Sequence, residues 1–248
     1  MGIAYNTSIV TNGLVFALDA ANTRSYAGSG NAAYALLGGY SGTLSNGVGF
    51  TSADNGSFVF DGTNDYINFT ERTVETELQY NTPFTISILC YITENSVAGH
   101  ILNNRLVDAS GVNYCGWVIM QNDGYIWCLI GGYPGGSAGW RQVSISTGSF
   151  DSLVYNKWCQ IVFLNTGIAG EQKIFLNGVN HTSSASDFSN PPYTINYSNG
   201  SSRLYIGYGA LNEHPTSARV SQVMIYNRAL TQQEIKQNYN ATKKRYGL

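Results

Sequence analysis

Short runs of β-branched and aromatic residues, broken every few positions by Gly, Asn or Asp, recur along the whole chain. They constrain its fold more than any other feature. Examples are LVFALD (14–19), SFVFD (57–61), YINF (66–69), FTISILCYI (84–92), CGWVIMQ (115–121) and YIWCLI (125–130). The pattern continues through WCQIVFL (158–164), QKIFL (172–176), RLYIGYG (203–209) and RVSQVMIYN (219–227). Many strands with turn signals at short spacing specify an all-β sandwich or barrel. Asn122-Asp123-Gly124 and Asn177-Gly178 supply the φ > 0 positions of tight hairpins, so the runs beside each are expected to pair antiparallel.

The stretch GSFVFDGTNDYINF (56–69) admits two readings, a sugar platform beside a calcium site or two core strands joined by a tight turn. Phe58 and Phe60 are two apart and share one side of a strand. Gly62 and Asn64 tolerate left-handed backbone, and Asp61 and Asp65 can bind loop amides. The stretch therefore reads as core aromatics around a polar turn. Trp117, Trp127 and Trp158 lie in strand runs and read as core as well. Residues 28–55 and 188–202 are rich in Gly, Ser and Asn and read as excursions, the second carrying Pro191-Pro192, which blocks central-strand pairing.

The segment LTQQEIKQNYNATKKRYGL places a helix near 231–245. Thr231 and Glu234 form a capping box, Leu230 and Ile235 a hydrophobic staple, and Gly247 a C-terminal stop. Ile235, Tyr239 and Tyr246 fall near one face, which is expected to dock on the sandwich. With no linker or repeat, residues 1–248 are expected to form one domain.

Only 11% of residues are charged and the net charge is −2, so nothing steers the chain toward nucleic acid. No run approaches the ~20 apolar residues of a membrane span. The first residues lack the basic start and apolar run of a signal peptide, which suits synthesis in a cytoplasm. Cys90, Cys115, Cys128 and Cys159 sit in apolar runs without C-x-x-C spacing and read as small hydrophobes, not zinc ligands.

GLVFALDA followed by SYAGSG, then GSFVFDGTNDYINF and PFTISILCYI, resemble the laminin-G-like branch of the concanavalin A-like lectin/glucanase superfamily. YNKWCQIVF…KIFLNGV resembles that group's Trp strand and hairpin, and RLYIGYG…RVSQVMIYNRALTQQEI its closing strand and helix. The ending YNRALT-x-x-E-I-x-Q-N-Y-N…RYG is similar to versions found in virion proteins of tailed phages of aquatic bacteria. The resemblance implies a two-sheet antiparallel jelly-roll sandwich with one C-terminal α-helix. It also implies glycan binding, adhesion or a structural role, in some relatives with calcium and in some with glycanase activity.

Glycanases of this fold set two glutamates around an aspartate on one strand face, because retaining chemistry needs carboxyls ~5–5.5 Å apart. No such triplet occurs; Glu75 and Glu77 have no Asp between them. His100, His181 and His214 have no G-x-S-x-G partner. The chain therefore reads as non-catalytic. Calcium needs ~6–8 oxygens, and Asp61, Asp65 and Glu213 are the candidate ligands of an optional ion; no cofactor is required. For sugar binding the candidates are Tyr133, Trp140 and Arg141 in GGYPGGSAGWRQ, with Tyr208, Asn212 and His214 in YGALNEH. There, rings would stack on sugar C–H faces beside planar polar groups. Trp140 could equally begin a core strand.

The expectation is a virion structural protein, made in the host cytoplasm and displayed on a phage capsid or tail as a decoration or fibre subunit. Its partners would be capsid or tail proteins and host cell-surface polysaccharide, with neither nucleic acid nor membrane insertion. Self-association into trimers or rings is open. The alternatives are a dedicated carbohydrate-binding adhesin and, third, a glycanase.

Overall fold

A computed structural model of the protein describes residues 8–69, 78–93, 98–104, 106–107, 114–122, 124–132, 139–146, 154–182, 184–187, 204–208 and 214–248. Their strands form two antiparallel sheets, one of eight strands and one of ten. The smaller sheet runs in the order Val179–Asn180, Lys173–Leu176, Trp158–Asn165, Phe84–Ile92, Ser217–Tyr226, Ser57–Asp61 and Gly49–Thr51. Leu14–Asp19 joins it by pairing with residues 222–226 of the Ser217–Tyr226 strand, whose residues 217–220 pair with Ser57–Asp61 along the same edge. Where one partner gives way to the other, the Ser221 carbonyl accepts from Ala20 N and its hydroxyl donates to the Gly56 carbonyl.

The larger sheet runs Ser184–Asp187, Gly139–Ser146, Tyr125–Gly132, Tyr114–Asn122, Gly99–Asn103, Leu204–Ile206, Tyr66–Phe69, Ser41–Ser45 and Ala32–Tyr34. Leu106–Val107 also pairs with Tyr114–Asn122. This is the all-β, two-sheet sandwich with a C-terminal helix that the sequence predicts. Both hairpin expectations hold. Asn122 pairs with Tyr125, and Asn177 and Gly178, at φ 50° and 78°, join Leu176 to Val179.

One apolar cluster fills the space between the sheets. Phe16, Phe58, Phe60, Ile88, Ile161 and Phe163 enter it from the smaller sheet, and Ile67, Phe69, Ile119, Ile126 and Val143 from the larger. Phe16 meets Phe69 edge-on across the gap, ring centroids 5.1 Å apart. Burying side chains of this size contributes ~1.5–3 kcal/mol each.

The smaller sheet is covered on its other face too. Val162, Leu164, Phe175, Met224 and Tyr226 pack there under Leu230, Ile235 and Val10. That is why Trp158–Asn165 is buried at every position and reads as an unbroken apolar run. The helix Gln232–Thr242 starts at the Thr231 capping box and passes into a 3₁₀ turn, Lys243–Tyr246, ended by left-handed Gly247. The helix is pinned by buried Asn238, whose Oδ1 accepts from Val10 N at 2.8 Å while Nδ2 donates to the Tyr226 hydroxyl at 2.9 Å. Two ion pairs, Arg228–Glu234 and Arg245–Asp19, hold the helix and the 3₁₀ turn at their margins.

Four expectations need correcting. Residues 28–55 are not one excursion: they contribute three short strands, each paired by backbone hydrogen bonds. In the 61–65 turn Gly62 is left-handed but Asn64 is not; its carbonyl instead accepts from Asn46 Nδ2 at 2.9 Å. Tyr66 is not a core residue. Neither is Trp127, and both belong to the outward face of the larger sheet.

Candidate functional site

Strand alternation decides which residues reach that outward face. In Tyr125–Gly132, Ile126, Cys128 and Ile130 are fully buried against the core, whereas Tyr125 is 39% exposed and Trp127 and Leu129 are half-buried. The Tyr125 and Trp127 rings sit 5.6 Å apart. Reading across the ladder, Leu129, Val118, Asn103, Tyr205, Asn68 and Thr43 lie opposite one another in one row. Ser144, Trp127, Met120 and His100 occupy the next.

The middle of this face is roofed by the chain itself. After Ile206, Gly207 at φ +90° turns the backbone; a Cβ here would come within 2.2 Å of the Phe60 ring, so glycine meets both demands. The turn brings the Tyr208 carbonyl over Asn103, whose Nδ2 donates to it at 2.7 Å. His214, left-handed at φ 57°, accepts from His100 N through its carbonyl at 2.9 Å, with the two imidazole centroids 5.2 Å apart. His100 and Asn103 are thereby buried, and the face is divided into two patches.

One patch is Tyr125, Trp127, Leu129 and Met120 with Gln142 beside them, half-exposed apart from the more open Tyr125. The other is built on Tyr66, half-buried, whose ring stacks on Tyr208 at 5.9 Å and meets Tyr205 edge-on at 5.8 Å. Burial, with Tyr66 alongside, raises the Tyr208 hydroxyl above its ordinary range, so it stays protonated and able to donate. Both patches set flat rings beside amides and hydroxyls. Such rings offer an apolar face and a polar tip, which suits ligands that are themselves amphipathic.

The expected sugar residues are distributed unevenly. Tyr208 and His214 are on this face, Tyr208 buried and His214 exposed. Trp140 and Arg141 fall in the strand Gly139–Ser146, opposite Gly131 and Ile130, but their side chains lie outside the described residues. Tyr133 and Asn212 also lie outside them. Trp127, Tyr125, Tyr66 and Tyr205 were not expected there. In YIWCLI every residue is apolar or aromatic, so composition alone hides the alternation.

Of the expected calcium ligands, Asp61 and Asp65 bracket the turn at one end of the sandwich, and Glu213 lies outside the described residues. Asp65 is buried and its Oδ2 accepts from Asp61 N at 3.1 Å; Asp61 Oδ1 accepts from Thr63 N at 2.7 Å. Burial raises the Asp65 carboxyl above its ordinary value, against the Asp61 amide bond that lowers it. Both carboxylates thus already serve the turn. Among the described residues no group of three or more His, Cys, Asp or Glu could hold a metal ion. Cys90, Cys128 and Cys159 are buried free thiols, and burial pushes Cys128 well above its ordinary range, as fits a packing residue. No helix among the described residues is long and apolar enough to cross a membrane.

A laminin-G-type family model, described as Concanavalin A-like lectin/glucanases superfamily, matches residues 61–236. Among solved structures, the binding domain of botulinum neurotoxin DC in complex with SialylT aligns with a TM-score of 0.67 at 13% identity, over 93% of this chain and 52% of that one. The receptor-binding domain of botulinum neurotoxin D aligns at 0.65 and 14% identity, over 95% and 53%. Trypanosoma rangeli sialidase in complex with the inhibitor DANA aligns at 0.60 and 16% identity, over 94% and 33%. At these identities the likeness is one of fold. The chain spans about half the length of the neurotoxin domains and a third of the sialidase. No curated protein matches it in sequence.

Proposed function

The chain belongs to the concanavalin A-like lectin/glucanase superfamily, and from that premise we propose that it is a non-catalytic glycan-binding module displayed on a phage particle. The observation that carries the glycan-binding part is the outward patch of Tyr125, Trp127 and Leu129, half-exposed and bordered by Gln142. A sugar ring stacks its C–H face on such a platform while its hydroxyls pair with neighbouring amides. The binding domain of neurotoxin DC, which shares the fold, was solved with SialylT, which supports a glycan of some kind as the ligand here.

The described strand positions of this face carry no carboxylate, and hydrolysis by the paired-carboxylate route needs two. Binding without turnover is the reading this supports. Calcium is not required in it, so binding is expected to survive a chelator. Assembly onto a capsid or tail, after synthesis in the host cytoplasm, rests on the similarity of the closing segment to virion proteins.

Native electrophoresis through gels containing bacterial cell-envelope polysaccharide tests the binding. Retardation that is kept in chelator and weakened about tenfold in Trp127→Ala is expected, since a lost aromatic contact of ~1.4 kcal/mol has that effect. Unretarded migration through every polysaccharide would remove the proposal. The particle setting is tested separately, by labelling purified virions with an antibody to the chain.

A further inference from the structure

We infer that the glycan held on this face is a neutral one, bound without ion pairs; the inference rests on the glycan-binding reading above and sharpens it. Every outward strand position of the larger sheet whose side chain is described carries a residue other than Asp, Glu, Lys or Arg. What the face offers is a hydroxyl on Thr43, an amide on Gln142 and rings, as on Trp127 and Tyr205. Of the two imidazoles described on this face, His100 is buried and His214, beside it, is exposed. Among the described residues, the ion pairs Arg228–Glu234 and Arg245–Asp19 stand on and around the helix side of the smaller sheet.

This distribution discriminates between ligand classes. A sialylated or uronic acid polymer carries a carboxylate on many of its rings. Bringing that charge against a half-buried apolar patch costs its hydration, and a cation placed to pair with it offsets that cost best. These positions provide no such cation. A neutral hexose polymer makes no such demand, because its hydroxyls exchange water for amides and hydroxyls while its C–H faces cover Trp127. Neutral contacts are also little affected by ionic strength, unlike exposed ion pairs.

The test is affinity electrophoresis of the whole chain against two panels. One is neutral (dextran, galactomannan, mannan) and the other acidic (polysialic acid, alginate), each at about 50 mM and about 500 mM salt, either side of the range where charge screening sets in. Retention by a neutral polymer, unchanged within about twofold between the two salts and weakened about tenfold in Trp127→Ala or Tyr125→Ala, is expected. Thermal melting confirms that both variants are folded. Retention by acidic polymers alone, collapsing at high salt, would overturn the neutral assignment and leave the glycan-binding reading standing. Retention by neither panel would overturn both.

Discussion

The two sheets use aromatic residues in opposite ways. In the smaller sheet both faces are covered, one by the larger sheet and one by Val10, the helix and its flanks, and Phe163 and Phe175 are both almost wholly buried. In the larger sheet the outward rings of Tyr125, Trp127, Tyr66 and Tyr205 keep part of their surface in water although their strands are just as regular. The first arrangement stabilises the chain, and the second leaves apolar area in water, which the proposed glycan would cover. Burial on both faces removes more apolar surface from water than burial on one, so mutations should separate the two roles cleanly.

The largest effect is expected from deleting a ring in the doubly covered sheet. Phe163→Ala should lose ~3–5 kcal/mol of unfolding free energy in denaturant titration, as a fully buried ring leaves a cavity. Trp127→Ala, a larger deletion on the outward face, should lose less, ~1–2 kcal/mol, because part of its ring is in water already. Equal losses would erase the distinction between the faces.

Asn238→Ala comes next. It removes the acceptor for Val10 N and the donor to Tyr226 Oη, both buried, and should cost ~2–3 kcal/mol. Stability measured by chemical denaturation should fall without any change in glycan retention.

Thr231→Ala should cost ~1 kcal/mol by removing the helix N-cap. The same corner carries a pH signature. Hydrogen bonds from Arg228 hold Glu234 at about 2, below its ordinary value of 4.5, against a smaller opposing effect of burial. A carboxyl depressed on folding contributes stability that is whole above its unfolded value and is lost as pH falls toward the folded one. Between about pH 4.5 and about 2 the wild type should therefore lose stability more steeply than Glu234→Gln.

The smallest effect should be at Asp65, with the opposite sign. Its carboxyl is raised by burial, so ionisation works against folding at neutral pH and stability should rise as pH falls through the raised value. Asp65→Asn, which keeps an acceptor for Asp61 N, is expected to melt slightly higher at pH 7. A marked destabilisation would instead give the carboxylate an essential task at this turn.

Much of the fold was legible because its signals are local. The Asn177-Gly178 and Asn122–Gly124 turns, the Thr231–Glu234 capping box and the run 158–165 each declare their structure within a few residues. The outward face was not. Trp127 alternates with Ile126 and Cys128, so inward and outward positions look alike in composition, and only the sheet pairing tells them apart. The roof over Asn103 comes from Tyr208, 105 positions away, by a side-chain-to-carbonyl bond that no spacing rule predicts. Residues 28–55 looked like a loop because their strands are short and poor in β-branched residues; pairing with residues 57–59 and 66–69 orders them.

The most direct test of the outward face as the binding surface is a titration of isotopically labelled protein with a neutral oligosaccharide, followed through the tryptophan indole N–H signals. Trp127 should shift and saturate while Trp117 and Trp158, both buried away from that face's open patches, stay where they are. Saturable binding that leaves the Trp127 signal unmoved would contradict the account.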